Sequence, residues 1–293
     1  MPQSHPQPPA VAISIDLEEY FQVEAMAGVV ARAEWEAMPA RIEASTDKLL
    51  ACFAEAGALA TFFVVGWVAE RYPRLIARVA AAGHELGCHS HWHRPVFRLS
   101  PAEFREDTRR AKAAIEAAAG CEVAGYRAPN FSIRLDGSME WALATLVEAG
   151  FRYDSSLHPI HHPFYGAARG ERRPFRVAGG ALWELPLATA SWLGQRLPMA
   201  GGGYWRLAPL AYTRWGLRRA LAQGLRPICY LHPWEIDPGQ PRLPLPRARR
   251  FRHYVNLGAT EGRLRRLLRE FGSQTVQSLS AAEVAPAARE AWA

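Results

Sequence analysis

Short apolar runs that break off into polar or ionisable residues recur along this 293-residue chain, separated by stretches with helical periodicity. Val11 to Ile15 ends in Asp16-Leu17-Glu18-Glu19, and Glu85 to Cys88 delivers His89-Ser90-His91-Trp92-His93. Val123 to Tyr126 runs into Arg127-Ala128-Pro129-Asn130-Phe131, and Phe151 to Tyr153 into Asp154-Ser155-Ser156. A late run, Pro227 to Leu231, stops at His232-Pro233-Trp234-Glu235. Buried strands alternating with helices are parallel with right-handed crossovers, so their C-terminal ends share one rim. Ionisable residues gathered at those ends predict one site on an α/β scaffold.

The punctuation between the runs supports that order. Ala40 to Ala56 reads as a helix stopped by Gly57, Trp67 to Ala82 as one ended by Gly83, and Gly137 to Ala149 as one stopped by Gly150. Pro101 to Ala119 carries its own start signal, with Ser100 as N-cap, Pro101 at the first helical position and Glu103 placed for a capping box. From His158 the texture becomes loop-rich, with strand candidates at Phe175 to Val177 and Leu182 to Leu185 and a helix from Leu207 to Gln223. Gly201-Gly202-Gly203-Tyr204-Trp205 suits either a close backbone approach to a ligand or a plain turn. The expected organisation is a disordered tail at 1–10, a core at 11–157, and a C-terminal extension at 158–285 that also supplies the last strand and His232.

Charge and cysteine usage narrow the function classes. A net charge of +7 is carried almost wholly by arginine, Lys48 and Lys112 being the only lysines, and arginines cluster at 169–173, 247–252 and 263–269. The last cluster shares its segment with Leu264, Leu267, Leu268 and Phe271, an amphipathic helix with a solvated basic face. No nucleic-acid module accompanies the charge, so nucleic acid is not an expected partner. Attraction to anionic lipid headgroups or an acidic glycan is compatible with it. Cys52, Cys88, Cys121 and Cys229 form no Cys-x-x-Cys pair and read as small packing residues in a reducing compartment. No apolar run reaches the roughly 20 residues that span a bilayer, and Met1 to Ala10 has no basic region of a secretory signal. The expected location is the cytoplasm, with peripheral contact to the inner membrane.

His89 and His93, four residues apart, are suited to present two imidazoles to one ion, and Asp16, Glu18 and Glu19 offer the third ligand. Two histidines and a carboxylate, with positions left open, describe a catalytic rather than a structural divalent metal site.

The ordered set Asp16-x-Glu18, His89-Ser90-x-x-His93, Arg127-x-Pro129, Asp154 and Leu231-His232 resembles the polysaccharide deacetylases of the NodB-homology, carbohydrate esterase family 4-like group. Asp16 to Phe21, Tyr153 to Ser156, Gly201 to Tyr204, His232 to Glu235 and Phe251-Arg252-His253-Tyr254 are similar to the branch encoded beside exosortase and exopolysaccharide genes. The resemblance implies a distorted, incomplete (β/α) barrel and metal-dependent removal of N-acetyl groups from a sugar. It implies His89, His93 and Glu18 as ligands, with Glu19 the rival, and zinc as the ion, with Co, Ni, Mn or Fe as alternatives. Asp16 would be the general base held by Arg127, His232 the general acid, Asp154 a group orienting His232, and the Asn130 backbone N–H an oxyanion donor. Phe131, Gly202, Tyr204 and Trp234 are the candidate substrate contacts. A cytoplasmic enzyme of this kind would act on a lipid-linked or nucleotide-linked precursor. Alternatives are a small amide or cyclic ureide hydrolase of the same fold, and a catalytically silent glycan- or lipid-carrier-binding protein.

Overall fold

The structure, a computed structural model, describes residues 11–160 and 170–281. The expected tail at 1–10, His161 and His162, and the end of the extension at 282–285 lie outside the described residues. In the first half β1 (Ala12–Leu17), α1 (Ile42–Glu55), β2 (Thr61–Val64), α2 (Gly66–Arg71), α3 (Pro73–Ala81), β3 (Glu85–Cys88), α4 (Pro101–Ala119), β4 (Gly125–Tyr126), α5 (Glu140–Glu148) and β5 (Tyr153–Asp154) alternate as the apolar runs predict. Then follow β6 (Phe175–Val177), β7 (Leu182–Glu184), β8 (Thr189–Trp192), β9 (Gln195–Pro198), α6 (Gly202–Leu207), α7 (Leu210–Ala222), β10 (Ile228–Leu231), α8 (Arg247–Tyr254), α9 (Leu257–Phe271) and α10 (Val276–Ala281).

Two expected helices are each divided at a proline. Pro73 has no N–H to continue the helix from Gly66, so α3 restarts with that proline in its first turn. Pro209 likewise separates α6 from α7 within the stretch read as one helix from Leu207. The α4 start forms as its signal predicts: Ser100 N–H donates to Glu103 at 2.8 Å, Glu103 N–H donates back to Ser100 Oγ at 3.3 Å, and Gly120 closes the helix at φ 70°.

Eight strands form one open, curled half-barrel in the order β10-β1-β2-β3-β4-β5-β7-β6, all neighbours parallel except β6 with β7. This is the incomplete (β/α) barrel expected. β1 and β2 are buried along their whole length, as apolar strands covered on both faces must be. Register decides what the rim carries. Leu17 pairs with Val64, Val64 with Cys88, Cys88 with Tyr126, Tyr126 with Asp154 and Asp154 with Glu184, one level across the sheet. Glu18, His89, Arg127 and Ser155 are the residues that follow that level in their strands. On the other side Ile15 pairs with Leu231, which brings His232 level with Asp16.

Candidate active site

Side chains alternate along a strand, so Ser14, Asp16 and Glu18 share one face of β1 and its extension while Glu19 faces the other way. One ligand atom each from Glu18, His89 and His93 lie within 4.8 Å of one another, all buried. Glu19, the rival ligand, is committed elsewhere: its Oε1 accepts the N–H groups of Arg41 at 2.8 Å and Ile42 at 3.0 Å, capping α1.

The histidine loop is held in an uncommon backbone conformation. Ser90 and His93 both have positive φ, at 64° and 50°, a state that costs about 1–3 kcal/mol per residue unless surrounding structure enforces it. Asp107 of α4 enforces it, accepting the His91 N–H at 2.7 Å and the Trp92 N–H at 3.1 Å. The Gly66 N–H donates to Ser90 O at 2.9 Å, and a Cβ on Gly66 would collide with the His91 ring and with Ala111. His91 lies within this loop, and its ring is fully buried. His89 Nδ1 lies 2.7 Å from Arg127 O, so that nitrogen carries the proton and Nε2 keeps a free lone pair. Burial pushes His89 down to about 4 and keeps it neutral. Burial opposes ionisation of Glu18, yet the rings of His93 and His232 hold it at about 2.

These residues fit a divalent cation. His93 Nε2 approaches Glu18 Oε2 to 2.7 Å, but without hydrogen-bond alignment, and Glu18 Oε2 has no hydrogen-bond partner among the described residues. A buried carboxylate and imidazole meeting this closely, beside a neutral imidazole fixed from behind, form a ligand set for a metal and leave positions open.

Arg127 is fully buried and fully engaged. Its Nη1 donates to Asp16 Oδ1 and to Ser14 Oγ, each at 2.7 Å, Nε and Nη2 donate to Ser155 at 3.1 Å each, and the guanidinium lies 4.0 Å over the Phe63 ring. Asp154 sits beneath this loop rather than against His232. Ser156 Oγ donates to Asp154 Oδ1 at 2.6 Å and accepts the Ala128 N–H at 2.8 Å. Directly across the sheet from Asp154 stands Glu184. Burial pushes Asp154 up to about 6, and burial beside the Asp154 carboxyl pushes Glu184 well above the carboxylate range.

His232 has a different orienting group from the one expected. Its Nδ1 lies 2.9 Å from Glu235 Oε2, and its Nε2 lies 3.3 Å from Glu18 Oε1 and 3.9 Å from Asp16 Oδ2. Glu235 is pinned by Arg206, whose Nε donates to Oε1 at 2.8 Å and whose Nη1 donates to the carbonyls of Arg252, His253 and Val255. Against the cost of burial, Arg206 and His232 hold Glu235 at about 2. The Glu235 and Glu18 carboxylates likewise outweigh burial and raise His232 to about 9.

Two candidate substrate contacts are closed to a ligand. Trp234 is stacked on His232 at 5.1 Å and on His253 at 4.3 Å, so both ring faces are occupied. Gly202 is buried, and a Cβ there would meet the Glu235 carboxylate, so this glycine makes room for Glu235 rather than for a ligand. Asn130 and Phe131 both lie in the left-handed region, at φ 55° and 53°. Phe131 packs edge-on against Tyr230 at 4.9 Å and His158 at 5.8 Å, and Tyr204, half-buried, has its ring 6.4 Å from His158. Asp107, Glu184 and Arg206 were missed from sequence. Glu184, a lone acid in an apolar run, and the His-x-x-Glu spacing of 232 to 235 were readable signals; Asp107 and Arg206 left none.

Residues 34–150 match the family described as polysaccharide deacetylase, and residues 155–281 match a domain of unknown function, DUF3473. A peptidoglycan-N-acetylglucosamine deacetylase of Bacillus cereus is 29% identical over 97 residues, 33% of this chain and 35% of that protein. A chitooligosaccharide deacetylase of Bradyrhizobium sp. is 41% identical over 59 residues, 20% of this chain and 27% of that one. The chain thus spans about a third or less of the curated relatives it matches. A crystal structure from Mycobacterium smegmatis, provisionally described as a polysaccharide deacetylase, superposes with a TM-score of 0.61 at 20% identity, covering 97% of this chain and 94% of that one. A family 4 carbohydrate esterase from Streptomyces lividans gives 0.50 at 15% identity, with 90% of each chain covered. At these identities the structural likeness is one of fold.

Proposed function

The chain carries a polysaccharide deacetylase domain, and from that premise we propose that it is a metal-dependent hydrolase that removes N-acetyl groups from an N-acetylated sugar in exopolysaccharide or cell-surface polysaccharide biosynthesis. The observation that carries the reading is the convergence of an arginine-held carboxylate, Asp16, and a carboxylate-held imidazole, His232, on the Glu18-His89-His93 cluster. A binding protein that kept a metal for structure would need neither.

Glu18, His89 and His93 would hold the ion. Zinc suits two imidazoles and a carboxylate, and when bound it would supply Lewis acidity at the N-acetyl carbonyl and lower the pKa of water. Asp16 accepts the proton of the attacking water, its other oxygen being fixed by Arg127. The backbone N–H of Asn130 would be the donor to the oxygen on which negative charge develops. His232, with Nδ1 turned to Glu235, offers Nε2 to the leaving nitrogen and protonates it, giving acetate and a free amino sugar. Phe131 and Tyr204 are the remaining candidates for sugar contact.

A cytoplasmic site of action is supported by four cysteines that are all free thiols, and there the substrate would be a lipid-linked or nucleotide-linked precursor. Peripheral membrane contact is supported by the β8–β9 turn, where Trp192 and Leu193 are 49% and 85% exposed and Arg219 lies 5.7 Å over the Trp192 ring. Absence of flotation with anionic vesicles at low salt would remove that contact.

The deciding experiment is acetate release from N-acetylhexosamine oligomers and precursors by zinc-loaded protein, beside chelated protein and Asp16→Asn. Release that needs metal and Asp16 is the expected result. No release from any glycan, with hydrolysis of a cyclic ureide or small amide instead, would replace the sugar reading.

A further inference from the structure

Between residues 238 and 260 the chain has five arginines, Arg242, Arg247, Arg249, Arg250 and Arg252, and no Asp or Glu. About half of the other described arginines are paired with an acid, as in Arg41 with Asp237, Arg110 with Glu70 and Arg265 with Glu261. Among the described residues none of the five makes an ion pair. Arg247, Arg250, Phe251 and Tyr254 fall at i, i+3, i+4 and i+7 of α8, one face of that helix. With Arg242 and Val255 they line a shallow, open surface pocket.

The pocket is organised and costly to the fold. Arg242 lies 4.2 Å over the Tyr254 ring, and the Tyr254 hydroxyl is fixed by accepting the Leu243 N–H at 2.9 Å and donating to Pro241 O at 3.3 Å. The guanidinium is therefore held over a ring whose own position is fixed. The first turn of α8 bears Arg247, Arg249 and Arg250 with no acid, against the helix dipole, and its N-cap residue Pro246 makes no side-chain cap. Phe251 is 63% exposed beside them. The pocket is also joined to the acid flank of the active site by an unbroken run of rings: Tyr254 on His253, His253 on Trp234, and Trp234 on His232.

We propose that Arg242, Arg247 and Arg250 form an anion subsite that takes the diphosphate of a phosphorylated N-acetyl sugar. Planar guanidiniums grouped around one surface pocket can match phosphate oxygens in geometry as well as charge. The exposed Phe251 ring gives an apolar surface to the group beyond the diphosphate, which is a nucleoside or a prenyl chain. The identity of the ligand as a sugar rests on the deacetylase reading; the anion subsite does not.

The probe is inorganic pyrophosphate, titrated into the zinc-loaded protein and into the Arg242→Gln/Arg250→Gln variant, together with steady-state kinetics on three substrates. These are UDP-N-acetylglucosamine, prenyl-diphosphate-linked N-acetylglucosamine and neutral chitooligosaccharide. Pyrophosphate should bind the native protein in a salt-dependent way and lose that binding in the variant. KM for a diphosphate substrate should rise about tenfold to hundredfold with kcat unchanged, while neutral oligosaccharide is unaffected. A KM change confined to the nucleotide-linked or to the prenyl-linked substrate supports the subsite and names its source. Turnover of chitooligosaccharide without pyrophosphate binding, or an equal KM change for neutral and charged substrates, overturns the subsite and leaves the deacetylase reading standing. Arginine-dependent pyrophosphate binding with no deacetylation of any sugar removes that reading and leaves the subsite.

Discussion

The two flanks of the site are built from the same residue types and secured by different means. On the imidazole flank, the ends of β1 and β3, backbone groups do the holding: Arg127 O fixes His89, and Asp107 grips the N–H groups of His91 and Trp92. On the His232 flank, the end of β10, the ring is secured by a buried charge pair, Glu235 with Arg206, and by stacking on Trp234. A backbone-held loop keeps its shape when one supporting side chain is weakened. A buried ion pair does not survive the loss of one partner, because the other is left charged without water.

Four experiments test that contrast, from the largest expected effect to the smallest. Asp16 faces both flanks, and Asp16→Asn should lower kcat by about 10²- to 10⁴-fold while zinc content stays at the native level; loss of zinc along with activity would place Asp16 in the metal set. Arg206→Met should destabilise the protein by about 3–5 kcal/mol in urea unfolding, and adding Glu235→Gln should recover much of that loss. A double variant no more stable than the single one would mean Arg206 acts through its carbonyl contacts instead.

The floor between the flanks gives a pH test. Asp154 has a folded-state pKa raised from 3.8 to about 6, so its contribution to stability is complete below about 3.8 and is lost as pH rises through about 6. The difference in melting temperature between native protein and Asp154→Asn should therefore shrink as pH rises across that window, and a difference independent of pH would show that the Asp154 carboxyl is not raised by its burial beside Glu184. The smallest effect is expected for Asp107→Asn, which keeps one acceptor for the histidine loop and should cost about 1 kcal/mol with a modest fall in zinc affinity. A cost as large as that of Arg206→Met would erase the contrast between the flanks.

Legibility in the sequence followed the same divide. Asp16, Glu18, His89, His93, Arg127 and His232 were readable because each follows an apolar run that could only be a buried strand, and parallel strands bring such ends together. The roles assigned to Asp154, Gly202 and Trp234 depended on neighbours that local pattern does not specify. Asp154 met Glu184 across the sheet, Gly202 met a carboxylate and Trp234 met two imidazoles. The divided helices at Pro73 and Pro209 were readable from proline chemistry, but the surrounding helical periodicity obscured them.

By itself the sequence determined the order of strands and helices, the residue types at the strand ends, and hence a half-barrel with a carboxylate–histidine rim, because apolar periodicity and turn chemistry are local properties. Only the tertiary structure decided which of two adjacent glutamates meets the imidazoles, that His232 answers to Glu235 and Arg206, and that Asp154 stands against Glu184 across the sheet. Those outcomes follow from register and from what packs behind each strand, and both are set by contacts between residues far apart in the chain.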